Sequence, residues 1–168
     1  MNVVIERVGP EDAERVMAIR LRALRDAPDA FWVTLEEEAT GGAFRWRDTL
    51  ELGDRAVFLA ISGGANIGLA LGAPHWDYPG DAVLAAMWVA PDARGTGVGE
   101  ALIRAVTQWA RDAGHRALRL DVSDTNEPAI RLYARMGFFP TGAVSAFRPP
   151  REHITEHEQK LDLASETG

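Results

Sequence analysis

Residues Val89-Ala-Pro-Asp-Ala-Arg-Gly-Thr-Gly-Val-Gly-Glu100 join an apolar run to a helical pattern through a turn rich in glycine. Few folds accommodate that arrangement. The run from Ala82 to Val89 reads as a strand buried on both faces. Leu102, Ile103, Val106, Trp109, Ala110 and Ala113 mark one face of a helix that stops at Gly114. A strand passing into a helix through glycines belongs to a layered α/β fold. It also lines up backbone N–H groups at the positive end of the helix, where phosphate oxygens bind. The turn reads Arg94-x-x-Gly97-x-Gly99. A P-loop would need Lys and then Ser or Thr after its last glycine, where Glu100-Ala101 stand. A dinucleotide fingerprint needs a small residue at Glu100 if it starts at Gly95, or at Leu102 if it starts at Gly97. ATP and NAD are therefore disfavoured, and another pyrophosphate carrier is expected.

The chain of 168 residues suits one domain with a single substantial core. Its 46% apolar and 26% charged residues are those of an ordinary soluble protein. No apolar run approaches the roughly 20 residues that span a bilayer, and Met1-Asn-Val-Val-Ile-Glu-Arg7 lacks the basic start and apolar core of a signal peptide. A cytoplasmic location and no membrane partner are expected. The absence of cysteine excludes disulfides, thiolate metal sites and a cysteine nucleophile. The net charge of −7 argues against nucleic acid as a partner; it mildly favours a cationic substrate and otherwise serves solubility.

The coarse pattern alternates strands and helices. Val3 and Ile5 open a strand that Gly9-Pro10 ends; Pro10-Glu11-Asp12 starts a helix carrying Val16, Ile19, Ala23 and Leu24 through about Asp26. Thr34 to Leu52 predicts one or two helices broken at Gly41-Gly42 and anchored by Phe44, Trp46 and Leu50. Val57–Ile61 and Ile67–Leu71 form a hairpin about Ser62-Gly-Gly-Ala65. Ala73 to Asp81 is a loop; Leu118, Leu120 and Val122 alternate as a strand; a helix opens at Asn126 and ends at Gly137. Two closing strands are expected, around Val144 to Phe147 and from about Glu156 to Leu163, before a polar tail at 164–168.

A second block follows the glycine turn: Asn126-Glu-Pro-Ala129-Ile-Arg-Leu-Tyr133-Ala-Arg-Met-Gly137-Phe138. Together the blocks resemble the two cofactor motifs of the GNAT superfamily of acetyl-CoA-dependent N-acetyltransferases. Arg94, Gly97 and Gly99 meet the first motif; Asn126, Tyr133, Gly137 and Phe138 meet the second. The resemblance is specific from Ala82 to Phe138 and fits residues 1–163 in element order. It implies an α/β class fold, a single-domain α/β/α sandwich with a mixed, mostly antiparallel sheet of about seven strands.

It further implies acetyl-CoA as co-substrate, without a metal. The turn from Arg94 through Gly95, Thr96, Gly97, Val98, Gly99 and Glu100 would hold the pyrophosphate. Main-chain groups of Met87, Trp88 and Val89 would face the pantetheine arm in a strand-like pairing. Asn126 would contact that arm, and Ala129 would pack close to it. Tyr133 would protonate the departing thiolate. Since no acyl-cysteine can form, a bound primary amine, from a small molecule, protein or peptide, would attack the thioester directly in a ternary complex. The resemblance also admits a homodimer through strands near the C-terminus, another acyl-CoA donor, and a noncatalytic acyl-CoA-binding module.

The group that takes the amine proton has several candidates. Asp121 stands where some family members carry a carboxylate; Ala85, Ala86 and Met87 offer none on the central strand. His75, Asp77 and Asp81 are alternatives. Trp76 and Tyr78 either line a substrate pocket or cap the core. Arg20 and Arg22 either meet an acidic substrate group or sit on a solvated helix face. His153-Ile-Thr-Glu156-His157 spells the His-x-x-Glu-His of some zinc peptidases. On a strand, however, its histidines would stand about 13 Å apart, too far to share a metal.

Overall fold

Alternation along one strand divides the interior into two cores. Val57 and Leu59 point to one face of the sheet, while Ala56, Phe58 and Ala60 point to the other. A computed structural model describes residues 2–163, and of residues 42–44 it describes only the backbone. The tail expected at 164–168 and the Phe44 anchor lie outside this description.

The elements run β1 (Val3–Val8), α1 (Ala13–Asp26), α2 (Leu35–Ala39), α3 (Gly42–Glu51), β2 (Ala56–Ser62), β3 (Ala65–Pro74) and β4 (Ala82–Val89). Then follow α4 (Val98–Asp112), β5 (Ala117–Ser123), α5 (Glu127–Arg135), β6 (Phe139–Ala146) and β7 (Thr155–Asp162). The strands form one sheet in the order β1-β2-β3-β4-β5-β7-β6. β4 and β5 pair in parallel, and every other neighbouring pair is antiparallel. This is the mixed, mostly antiparallel seven-stranded sheet that the motifs implied.

On one face α1 buries Val16, Ile19, Ala23 and Leu24 against Val57, Leu59, Leu69 and Trp88. On the other, α4 buries Leu102, Ile103, Val106 and Ala110 together with Leu118, Leu120 and Val122 of β5. The apolar stripes read from the sequence meet the sheet faces that their period requires, except that Ala113 lies past the end of α4 and is exposed.

Several local expectations need adjustment. Pro10–Asp12 is a separate 3-10 turn, and α1 begins only at Ala13. The segment after Thr34 is two helices: Thr34 caps α2 by accepting from the Glu37 N–H, and Gly41 breaks the chain at φ 89°. β3 extends to Pro74, and β6 starts at Phe139 rather than near Val144. β6 escapes periodicity because it is an edge strand with every residue exposed, so no face of it is apolar.

Arg20 lies neither on a solvated face nor in reach of an acidic substrate. It is 7% exposed and faces Glu38, itself 2% exposed, with Nε to Oε1 at 3.8 Å. Its guanidinium lies over the Phe31 ring at 4.6 Å. Trp46 Nε1 donates to the same Glu38 oxygen at 2.6 Å. A buried charge pair, invisible to an apolar count, thus ties α1, α2 and α3 together.

Candidate active site

Ala86, in the middle of β4, has φ 54°, a left-handed value that side chains rarely adopt. The β3–β4 register shifts around it: Leu71 pairs with Ala85, but Leu69 pairs with Trp88. A residue is therefore bulged out of β4, which bends the strand. β4 pairs with β5 at Ala82↔Leu118 and Val83↔Arg119, and no further. Beyond that point the two strands part. The gap between Leu84–Val89 and Leu120–Ser123 is a cavity of about 630 Å³ that runs along both strands.

One end of the cavity is the glycine turn, with Arg94, Gly95, Gly97, Gly99 and Glu100 among the lining residues. Gly97 caps α4 at φ 91°, and a Cβ there would meet open space. Backbone conformation, not crowding, requires glycine at that position. Gly99 differs: a Cβ would stand 2.9 Å from Leu132 Cδ2, so glycine lets α4 and α5 approach closely. Thr96 and Val98 are not in the lining. Thr96 Oγ1 donates to the Ala93 carbonyl, and the Val98 side chain is buried in the core. An open glycine cradle at the start of a fifteen-residue helix fits a phosphate group.

Met87, Trp88 and Val89 form one wall; Asn126, Ala129 and Tyr133 form the other. Asn126 caps α5, its Oδ1 accepting from the Ala129 N–H at 3.4 Å. Arg131 and Arg135 of α5 also line the cavity, and Arg135 faces Glu100 at 3.8 Å. These arginines are each paired with a carboxylate, Arg131 with Glu127 at 3.8 Å and Arg135 with Glu100. Their spacing of four along a helix was the available signal.

Tyr133 is 7% exposed and packs edge-on against Phe138, with ring centroids 5.7 Å apart. Its hydroxyl makes no hydrogen bond to another described residue, and burial holds the phenol well above its ordinary pKa. It is therefore a neutral, protonated donor at physiological pH.

Asp121 lies in the cavity wall, and its carboxylate has no hydrogen bond or ion pair among the described residues. Burial first, then the neighbouring Glu158 charge, raise its pKa, while His75 opposes them. Glu158 stands opposite Asp121 in the β5–β7 ladder but is engaged by Arg119 at 2.8 Å and Thr141 at 2.8 Å. Glu156, two pairs further along and opposite Ser123, is 4% exposed and accepts from Trp32 Nε1. Burial raises its pKa, the Trp32 bond lowers it and Asp121 raises it. The sequence placed Glu156 in the His-x-x-Glu-His string and at the start of the last strand, but its place near Asp121 comes from strand register.

The other candidate bases are elsewhere. Asp81 is buried and held by Arg119 at 2.8 Å. His75 stacks on Trp76, meets the edge of Tyr78 and accepts from the Asp77 N–H; burial lowers its pKa. Trp76 is 65% exposed and Tyr78 lies under the Arg119 guanidinium, so neither lines the cavity or caps the core. His157 lies on β7 and is exposed, and His153 stands in the turn before it, so the pair occupies no helix. Among the described residues no group of three or more His, Cys, Asp or Glu could hold a metal ion.

A bulged central strand, a splayed neighbour and a glycine turn between strand and helix define an acyl-CoA transferase type of site. The chain belongs to the acetyltransferase (GNAT) family, whose profile matches residues 16–138. It is 33% identical over 155 residues to the aminoglycoside N(6')-acetyltransferase type 1 of Stenotrophomonas maltophilia, covering 88% of this chain and 94% of that one. Against the mycothiol acetyltransferase of Thermomonospora curvata it is 33% identical over 132 residues, 79% of this chain. It spans only 42% of that relative, and 40% of a streptothricin acetyltransferase from Streptomyces lavendulae. The fold matches that of the yncA protein of Salmonella typhimurium, solved with acetyl-CoA as its cofactor. The TM-score is 0.78 at 20% identity, covering 100% of this chain and 98% of that one.

Proposed function

We propose that the protein transfers an acetyl group from acetyl-CoA to a primary amine by direct attack within a ternary complex. The observation that carries this reading is the single cavity joining an open glycine cradle, the Tyr133 hydroxyl and the unpartnered Asp121 carboxylate. Bound acetyl-CoA would supply a thioester carbonyl for the amine and a thiol as leaving group. The turn from Arg94 to Glu100 offers backbone N–H groups to its phosphates. Met87, Trp88 and Val89, where β4 has left β5, offer main-chain groups to its arm.

Asp121 takes the proton that the entering ammonium must shed, its raised pKa making it a better base than an ordinary carboxylate. As the N–C bond forms and the C–S bond breaks, Tyr133 gives its phenolic proton to sulfur; the second proton lost by the acylated nitrogen restores the phenol, and Asp121 releases its own to solvent. The chain contains no cysteine to carry the acetyl group itself.

The acceptor is a small-molecule or protein amine. Relatives named for aminoglycoside and mycothiol acetylation support the small-molecule class. A cytoplasmic setting, where acetyl-CoA is available, belongs to the same reading, and cell fractionation checks it. So does a homodimer. The exposed β6 edge, with Phe139 and Val144 at 44% and 56% exposure, supplies a surface for it, and a single-chain mass in sedimentation would remove it.

The direct test is a panel of diamines, aminoglycosides and peptides, with CoA release followed by a thiol reagent. A cysteine-free enzyme adds no background to that assay. Acetyl-CoA binding without amine-dependent thiol release across the panel would favour the binding-module reading instead.

A further inference from the structure

Asp26, the last residue of α1, lies 68 residues before Arg94 in the chain but shares the cavity lining with it. Its Oδ2 accepts from Arg94 Nη2 at 2.5 Å and from Trp88 Nε1 at 3.0 Å. The same arginine sends Nε to the Val89 carbonyl at 3.0 Å. Trp88 is 5% exposed, and the Arg22 guanidinium lies over its ring at 5.3 Å. One carboxylate therefore joins three elements: the end of α1, the end of β4 and the first residue of the glycine turn.

Two features of this cluster need explaining. A carboxylate in the wall of a cavity that takes a polyanion is repulsive unless it is compensated. And an arginine that leads a phosphate-binding turn has its guanidinium directed at a carboxylate and a carbonyl. Both follow from one role. The amides from Gly95 to Glu100 bind phosphate only if the turn already holds its shape, since ordering it on binding would cost affinity. Gly95 and Gly97 both have positive φ, and Thr96, bonded to the Ala93 carbonyl, ties the turn only to the residues just before it. A forked guanidinium fixed at both ends ties it to β4 and α1 as well.

We propose that Asp26 is a positioning residue for the cofactor site: it anchors Arg94, which acts as a tether that shapes the amide cradle and not as a phosphate ligand. This rests on the reading of the cavity as an acetyl-CoA site. The lowered pKa of Asp26, caused by the Trp88 and Arg94 hydrogen bonds and opposed by burial, keeps the anchor ionised.

Titration calorimetry with CoA tests the proposal on the whole chain as wild type, Asp26→Asn, Arg94→Gln, Arg94→Lys and the Asp26→Asn/Arg94→Gln double variant. Each single variant is expected to weaken CoA binding about tenfold, within the range of coupling for contacting residues. The double variant should be no weaker than Arg94→Gln alone. Arg94→Lys, with charge but no fork, should be as weak as Arg94→Gln. Pantetheine, which lacks the phosphates, should bind equally to all five proteins by ligand-observed NMR.

Simple electrostatics predicts the opposite for Asp26→Asn, because it removes a negative charge near a polyanion. Tighter or unchanged CoA binding there, with loss in Arg94→Gln, would make Arg94 a direct phosphate ligand and overturn the proposal. So would additive losses in the double variant, full retention in Arg94→Lys, or equal losses for pantetheine. If Asp26→Asn fails to fold, Arg94→Lys at a half-exposed position still decides. A wild type that binds no CoA would instead sink the proposed function.

Discussion

Tyr133 and Glu156 show how burial sets the chemistry of single residues. The phenol is removed from water with no charged partner nearby, so its proton is held more firmly than in solution. Tyr133→Phe keeps the ring packed on Phe138 and removes the donor. Its kcat is expected to fall about 100-fold with acetyl-CoA affinity retained, in steady-state assays paired with calorimetry; an unchanged kcat removes Tyr133 from the proton path. Glu156 makes a stability prediction. Its folded pKa is raised, so as pH rises from about 4 the unfolded chain loses its proton first. The folded protein then binds more protons than the unfolded one, and stability falls until the folded group ionises too. Glu156→Gln should flatten that part of the pH–stability curve in urea titrations, and a curve parallel to wild type would refute the assignment. The Tyr133 position was legible because Asn126 and Gly137 bracket the one short helix that carries it. Glu156 was not, because its neighbour Asp121 lies across a strand pair that local spacing does not specify.

At the scale of elements, what was readable is what is local. The strand–turn–helix from Ala82 to Asp112 depends on apolar period and glycine placement within thirty-one residues; the strand forms with the bounds read, and the helix ends at Asp112 with Ala113 as its cap. The α1–α3 layer depends instead on a buried ion pair. Arg20 sits in an otherwise ordinary helical pattern, and only tertiary packing brings Glu38 of α2, and Phe31 before that helix, against it. Arg20→Ala leaves Glu38 short of a cation in a dry site, although Arg45 at 3.4 Å and Trp46 still reach it. The expected loss is about 3 kcal/mol by chemical denaturation. A loss under about 0.5 kcal/mol would mean that a solvated-surface cost applies there.

For the molecule as a whole, a ligand that binds only the folded state adds stability by mass action. Acetyl-CoA at a hundredfold excess over its Kd should add about 2.7 kcal/mol, read as a raised thermal midpoint; no shift at saturation would refute the cofactor assignment. No helix among the described residues is long and apolar enough to cross a membrane. What the sequence determined by itself was the order of elements, the two-sided sheet and the glycine turn that opens α4, because each follows from periodicity or glycine conformation over a short stretch. The tertiary structure alone decided where β4 and β5 part, since Ala86 carries no glycine or proline to announce its bulge. It also decided that Asp26 meets Arg94 and that Glu156 joins Asp121, pairings between segments far apart in the chain. Local propensity acts over a turn or two of helix, whereas a charge in a low-dielectric cavity answers to whichever groups the fold brings beside it.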